Sequence, residues 1–195
     1  RIFTRIVQDE ALLEARRSDE RRRNGQAASP FDGVPIAVKD NIDVAGMITS
    51  GGTGHDFGGP AGQDAFAVSR LRAAGAVILG KLNMHEGALG ATTDNAFWGR
   101  CENPAAPGRT PGGSSGGSGA AIAGGLVPAT LGTDTMGSVR IPAAYCNVWG
   151  LKPTKGLIGT SGLQYLSWQL DTIGPLANSA EDLSLLTNLL AGFDR

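Results

Sequence analysis

A chain of 195 residues with 41% hydrophobic content is long enough to bury one sizeable core, which excludes a disordered segment. A formal net charge of -1 excludes a general basic field for nucleic acid or anionic lipid, and no apolar run reaches membrane-spanning length. The only two cysteines, Cys101 and Cys146, argue for a reducing, cytoplasmic setting over a disulfide framework.

The first predicted element is a leading helix within residues 1–25, running from about Ile2 to Arg23 and stopping near Gly25. Its charge run, "EARRSDERRRNG", mixes signs at helical spacing and reads as a solvated face. "GVPIAVKD" follows as a strand, with Val34, Ile36 and Val38 on one face and Pro35, Ala37 and Lys39 on the other. "DAFAVSRLRAAG" reads as a helix stopped by Gly75, and "AVILGK" as the buried strand after it. A Gly/Ser run then leads into a short helix, "GAAIAGGL", a strand, "VPATLGTD", and another helix starting in "GSVRIPAAYC". The last element, "NSAEDLSLLTNLLAG", is an amphipathic helix capped by Asn178 or Ser179, with Leu183, Leu186 and Leu190 facing inward. Strands alternating with helices predict an α/β layered domain, and no internal repeat interrupts it.

Residues 112–119 are nothing but glycine and serine. A linker of this composition would not run straight into a helix-forming stretch without a polar spacer. A Walker loop requires G-x-x-x-x-G-K-[ST], and no lysine stands nearby; the dinucleotide fingerprint is absent as well. G-x-S-x-G matches twice, at Gly112 to Gly116 and Gly113 to Gly117, yet His55 and His85 both precede the serines, whereas a nucleophile elbow needs its histidine after them. Lysine is the alternative partner for serine, and the chain has four: Lys39, Lys81, Lys152 and Lys155.

Lys39 ends a strand whose same face carries only Pro35 and Ala37, and burial there would lower its pKa and supply a neutral amine as base. The plain alternative is a strand-end ion pair with Asp40. Lys152 and Lys155 flank Pro153 and read as solvent-facing; Lys81 fits either environment. In "LGTDTMGSVRIPAAYC", Ser138 follows a tight turn and opens a helix whose N-terminal amides would face an oxyanion, the alternative being an ordinary helix cap. Pro142 is tolerated in that first turn. Two Gly/Ser turns and a strand-end lysine are costly to keep in a core unless they converge.

Taken together, "GVPIAVKDNIDV", "PGGSSGGSGAA", "GTDTMGSVRIPAAYC" and "GLKPT" at Gly150 to Thr154 resemble the amidase signature family, in the family's order, from about Phe31 to the final helix. The resemblance implies a mixed β-sheet core covered by helices, with residues 1–195 the N-terminal portion of a single such domain. It implies a Ser-Ser-Lys triad in which Ser138 is the nucleophile, Ser114 the bridging serine after a cis Gly113–Ser114 bond, and Lys39 the base. It disfavours the adjacent Ser115, which becomes a supporting residue. Backbone N–H groups of Thr135, Met136, Gly137 and Ser138 would hold the oxyanion, and Asp134 and Arg140 would hold the turn's shape. The implied reaction is hydrolysis of a small-molecule amide to carboxylate plus ammonia or amine through an acyl-enzyme on Ser138. It needs no cofactor and no metal, no direct contact with nucleic acid and no membrane, and it leaves a homodimer open.

The chain departs from the family pattern at three places. Met136 stands where glycine is usual, so it would either strain the turn if the position needs positive φ, at about 1–2 kcal/mol, or narrow the pocket. Asn147 replaces a glycine after the cysteine, a milder change because asparagine also suits a left-handed helix end. Ile141 replaces the glutamine usual in glutaminase subunits of tRNA-dependent amidotransferases. Such a glutaminase is thus the second expectation after a stand-alone amidase, a non-catalytic scaffold the third and a phosphate-binding module a distant fourth. His55, His85 and Cys101 are expected at packing or surface positions.

Overall fold

Side chains along Pro35–Lys39 alternate between two buried faces, as a two-faced strand requires: Ile36 and Val38 enter one hydrophobic cluster and Ala37 the other. The computed structural model describes residues 1–194. In chain order they form β1 (Phe3–Ile6), α1 (Gln8–Arg23), β2 (Pro35–Lys39), α2 (Phe66–Ala73), β3 (Val77–Leu82) and α3 (Gly116–Ala123). There follow β4 (Ala129–Asp134), α4 (Arg140–Cys146), β5 (Trp149–Gly150), β6 (Thr172–Ala177) and α5 (Ala180–Leu190). One mixed, six-stranded sheet has the order β1-β3-β2-β4-β6-β5. Its centre, β3-β2-β4, is parallel, and the outer pairs β1/β3, β4/β6 and β6/β5 are antiparallel.

The larger core joins Ile36, Val38 and Leu131 to Val68 and Leu71 of α2 and to Leu183, Leu186 and Leu190 of α5. The smaller one packs Ala121 and Ile122 of α3 and Ala143 of α4 against Ala37, Leu82 and Leu176. Helices thus cover both faces, the arrangement a buried parallel centre demands. Because β2 and β4 are parallel, with Val38 beside Leu131, Lys39 and the segment beginning at Thr133 emerge at the same end of the sheet.

Three strands depart from the sequence expectation, one of them the two-residue β5 at Trp149–Gly150. The leading helix starts at Gln8, not Ile2; Phe3–Ile6 instead pair with β3, since edge pairing satisfies backbone groups that a frayed helix start leaves open. Thr172–Ala177 form a strand despite Pro175. The carbonyl of Pro175 accepts from Leu151 N at 3.1 Å, so its missing N–H also faces that side, where the two-residue β5 pairing has ended. The other expected elements are present with shifted ends. Gly75 ends α2 at φ +84°, Asn147 ends α4 in the left-handed conformation, and Ser179 caps α5 by accepting from Asp182 N.

Candidate active site

Lys39 is fully buried at the end of β2, and its Nζ donates to Ser114 Oγ at 2.7 Å and to Thr133 Oγ1 at 2.8 Å. Burial pushes its pKa down to about 7, against the pull of Asp171 and Asp134, whose charges favour the ammonium. Close to neutrality, such an amine is available as a base. Lys39 has no ion pair with Asp40. That carboxylate pairs at 3.2 Å with Lys81, itself buried, because adjacent strand residues point to opposite faces.

The Gly/Ser segment brings the serines to this amine. The Gly113–Ser114 peptide bond is cis, Ser114 and Ser115 are fully buried, and α3 begins at Gly116. A Cβ on Gly113 would stand 2.8 Å from both Gly90 O and Thr92 N, so only glycine lets the loop lie against that backbone. Ser115 points away from Lys39: its Oγ donates to Thr133 O and accepts from Thr133 N, both at 3.2 Å. Its amide donates to Ser138 O, also at 3.2 Å, which ties the Gly/Ser loop to the second serine turn.

The turn carrying Ser138 is organised by Asp134. One carboxylate oxygen accepts from Gly137 N at 2.7 Å and Arg140 Nη2 at 3.0 Å. The other accepts from Val139 N at 3.0 Å, Arg140 N at 3.3 Å and Arg140 Nε at 3.1 Å. Burial alone would raise the pKa of Asp134, but these donors outweigh it and hold the carboxyl below its ordinary value. Ser138 is half-buried, and its Oγ forms no hydrogen bond with another described residue. The amides of Thr135, Met136 and Ser138 are likewise free among the described residues, whereas that of Gly137 is taken up by Asp134. Three of the four expected oxyanion donors are therefore open. Positive φ falls on Gly137, at +132°, and not on Met136, whose side chain is 73% exposed. Met136 carries no backbone strain and stands at the rim of the turn.

Three side chains that sequence reasoning passed over belong to the site. Thr133 and Asn41 lie inside quoted motifs, next to Asp134 and Asp40, but nothing in their spacing marks them. Asp171 is buried; it accepts from Thr135 Oγ1 at 2.5 Å, Leu166 N at 2.7 Å and Ser167 N at 3.0 Å. Lys155 is exposed as expected, yet its Nζ donates to Trp168 O at 2.7 Å and Asp171 O at 2.9 Å, fastening that loop. His55 is exposed; His85 donates its backbone N–H to Ser114 O at 3.0 Å while its ring lies 3.3 Å from Thr92 Oγ1, and Cys101 is buried with its thiol pKa pushed up to about 12 by burial. Among the described residues, no cluster of three or more His, Cys, Asp or Glu side chains is arranged to hold a metal ion.

Known proteins resemble this chain over nearly all of its length. The family model described as "Amidase" matches residues 2–195. The chain is 49% identical over 194 residues to a glutamyl-tRNA(Gln) amidotransferase subunit of Chloroflexus aurantiacus, covering 100% of this chain and 40% of that protein. It is 48% identical over 193 residues to the AtzE subunit of 1-carboxybiuret hydrolase from Pseudomonas sp. (strain ADP), covering 98% and 42%. Among solved structures, the peptide amidase of Stenotrophomonas maltophilia superposes with a TM-score of 0.89 at 42% identity, over 95% of this chain and 39% of that one. The chain thus spans about two fifths of the length of the curated relatives it matches.

Proposed function

Because the chain belongs to the amidase family, we propose that its Lys39–Ser114–Ser138 constellation hydrolyses the C–N bond of a small-molecule amide, in a cytoplasmic protein. The observation that carries the proposal is the buried contact between Lys39 Nζ and Ser114 Oγ at 2.7 Å, with the amine pKa brought to about 7. A base with a pKa close to the working pH combines a deprotonated population with useful proton affinity.

The chemistry runs in two halves. Ser138 Oγ attacks the amide carbonyl while its proton passes to Ser114 and the proton of Ser114 passes to Lys39. Negative charge develops on the carbonyl oxygen, and the amides of Thr135, Met136 and Ser138 stabilise it. The C–N bond breaks as the proton returns along the same path to the departing nitrogen, which leaves as ammonia or an amine. Water then adds to the ester on Ser138, with its proton taken by the same relay, and the carboxylate is released. No step calls on a cofactor or a metal. Ser115, Asp134 and Arg140 shape the two turns without touching the reacting atoms.

The test is to incubate the protein with primary carboxamides in the presence of hydroxylamine. Ammonia release together with a hydroxamate, both lost in Ser138→Ala, is the expected result. Ammonia release that persists in Ser138→Ala would overturn the assignment. A second reading is the glutaminase of a tRNA-dependent amidotransferase, favoured by the 49% identity to the Chloroflexus protein and opposed by Ile141. Preference for free glutamine over other carboxamides in the same assay would select it.

A further inference from the structure

Lys39 is held by a second hydroxyl besides that of Ser114. Thr133 Oγ1 accepts from Lys39 Nζ at 2.8 Å and from Asn41 Nδ2 at 3.2 Å, and Asn41 Nδ2 also donates to the carbonyl oxygen of Gln164 at 3.3 Å. A backbone carbonyl can only accept, so Gln164 settles which end of the Asn41 amide faces Thr133. The Thr133 oxygen therefore receives an N–H from Asn41 and has one acceptor position left, into which Lys39 donates. The backbone of Thr133 is already fixed on both sides by Ser115 Oγ, so the direction of its hydroxyl is the freedom that remains for Asn41 to set.

We propose that Asn41 is a positioning residue for the base: acting through Thr133, it fixes one N–H of Lys39 on Thr133 Oγ1 and thereby turns the amine nitrogen toward Ser114. The proposal rests on the Ser138–Ser114–Lys39 reading above. Fold stability alone is a weak reason for an amide here, because its two N–H contacts are long, at 3.2 and 3.3 Å, and stand against an unpaired oxygen. Asn41 is 2% exposed and its Oδ1 has no partner among the described residues, and an unpaired buried acceptor costs about 1–3 kcal/mol. An apolar side chain of similar size would avoid that cost and would also release Thr133, whose O–H could then turn onto the Lys39 nitrogen and compete with Ser114. The charged groups around this amine are Asp134 on β4, engaged by Arg140, Asp171 ahead of β6, and the Asp40–Lys81 pair beside Lys39. None of them touches Thr133 Oγ1 or Asn41 Nδ2.

With four lysines in the chain, lysine labelled with nitrogen-15 gives an amine spectrum in which Lys39 is assigned from Lys39→Met. The midpoint of Lys39 and the rate of Ser138 acylation by a fluorophosphonate are measured against pH in the full chain. The variants are Asn41→Leu, Thr133→Val and Thr133→Ser. The proposal expects Asn41→Leu and Thr133→Val to move the Lys39 midpoint to lower pH and to slow acylation about 10- to 100-fold, the scale of a misdirected reacting group. Thr133→Ser, which keeps the hydroxyl, restores both. A folded Asn41→Leu protein with the wild-type midpoint and rate overturns the proposal. If Asn41→Leu does not fold, wild-type behaviour of Thr133→Val does so. A midpoint that moves in a protein that never acylates at Ser138 contradicts the function reading and not the network. Normal acylation indifferent to both variants contradicts this inference alone.

Discussion

Asp134 is the residue on which the Ser138 turn depends, since its two oxygens gather three backbone amides and the Arg140 guanidinium. Asp134→Asn turns an N–H₂ toward donors that need an acceptor, and should lower unfolding free energy by about 2–3 kcal/mol in denaturant titration. Arg140→Ala should cost under about 1 kcal/mol in the same titration, because its side chain is 53% exposed and water screens the pair. For Lys39 and Ser138 the residues alone leave an ordinary reading open, an ion pair with Asp40 and a helix cap, and only the resemblance to the amidase signature motifs decides between the readings. Thr133 and Asn41 could not be singled out from the sequence, since a threonine in a strand and an asparagine after one are ordinary, and their meaning comes only from where β2 and β4 end together. Of the two expectations for Met136, strain in the turn or a narrower pocket, the first does not hold, because the unusual φ belongs to its neighbour Gly137.

The elements that carry the site are those with little room to vary. Helix α3 runs so close to the chain after β3 that a Cβ on Gly117 would lie 2.3 Å from Asn83 O, a backbone atom that cannot swing aside. Gly117→Ala should therefore lower the melting temperature and cost about 1–3 kcal/mol, the range for overpacking a tight core, although alanine is the better helix former. A melting temperature equal to or above the wild type would show that α3 can retreat from β3. Period and punctuation disclosed most of the elements: alternation marked β2, Gly75 closed α2, and leucines at helical spacing marked α5. The three strands they missed, β1, β5 and β6, are short or contain proline. In each case the pairing comes from a distant partner, and local sequence does not encode it.

On the scale of the whole molecule, the buried amine links stability to pH. The folded pKa of Lys39 lies at about 7, below its ordinary value of 10.5, so between these values the unfolded chain binds more protons and stability rises with pH. The window from about pH 7 to 9 is the clearest. Above 9 the thiols of Cys101 and Cys146, pushed up to about 12 by burial, contribute the opposite slope. Lys39→Met should reduce the rise of unfolding free energy across that window without abolishing it, since burial also lowers the pKa of Lys81 and acts with the same sign, and an unchanged slope would contradict a neutral amine at Lys39. The chain spans about 40% of the length of relatives such as the Chloroflexus protein.

The most direct measurement of the central claim is the pH dependence of Ser138 acylation by a fluorophosphonate, followed by intact mass and peptide mapping. The account predicts a single adduct on Ser138 that forms faster as pH rises through about 7, the pKa of Lys39, and is lost in Lys39→Met and Ser138→Ala. An adduct on another residue, or none on a chain shown by circular dichroism to be folded, would contradict it.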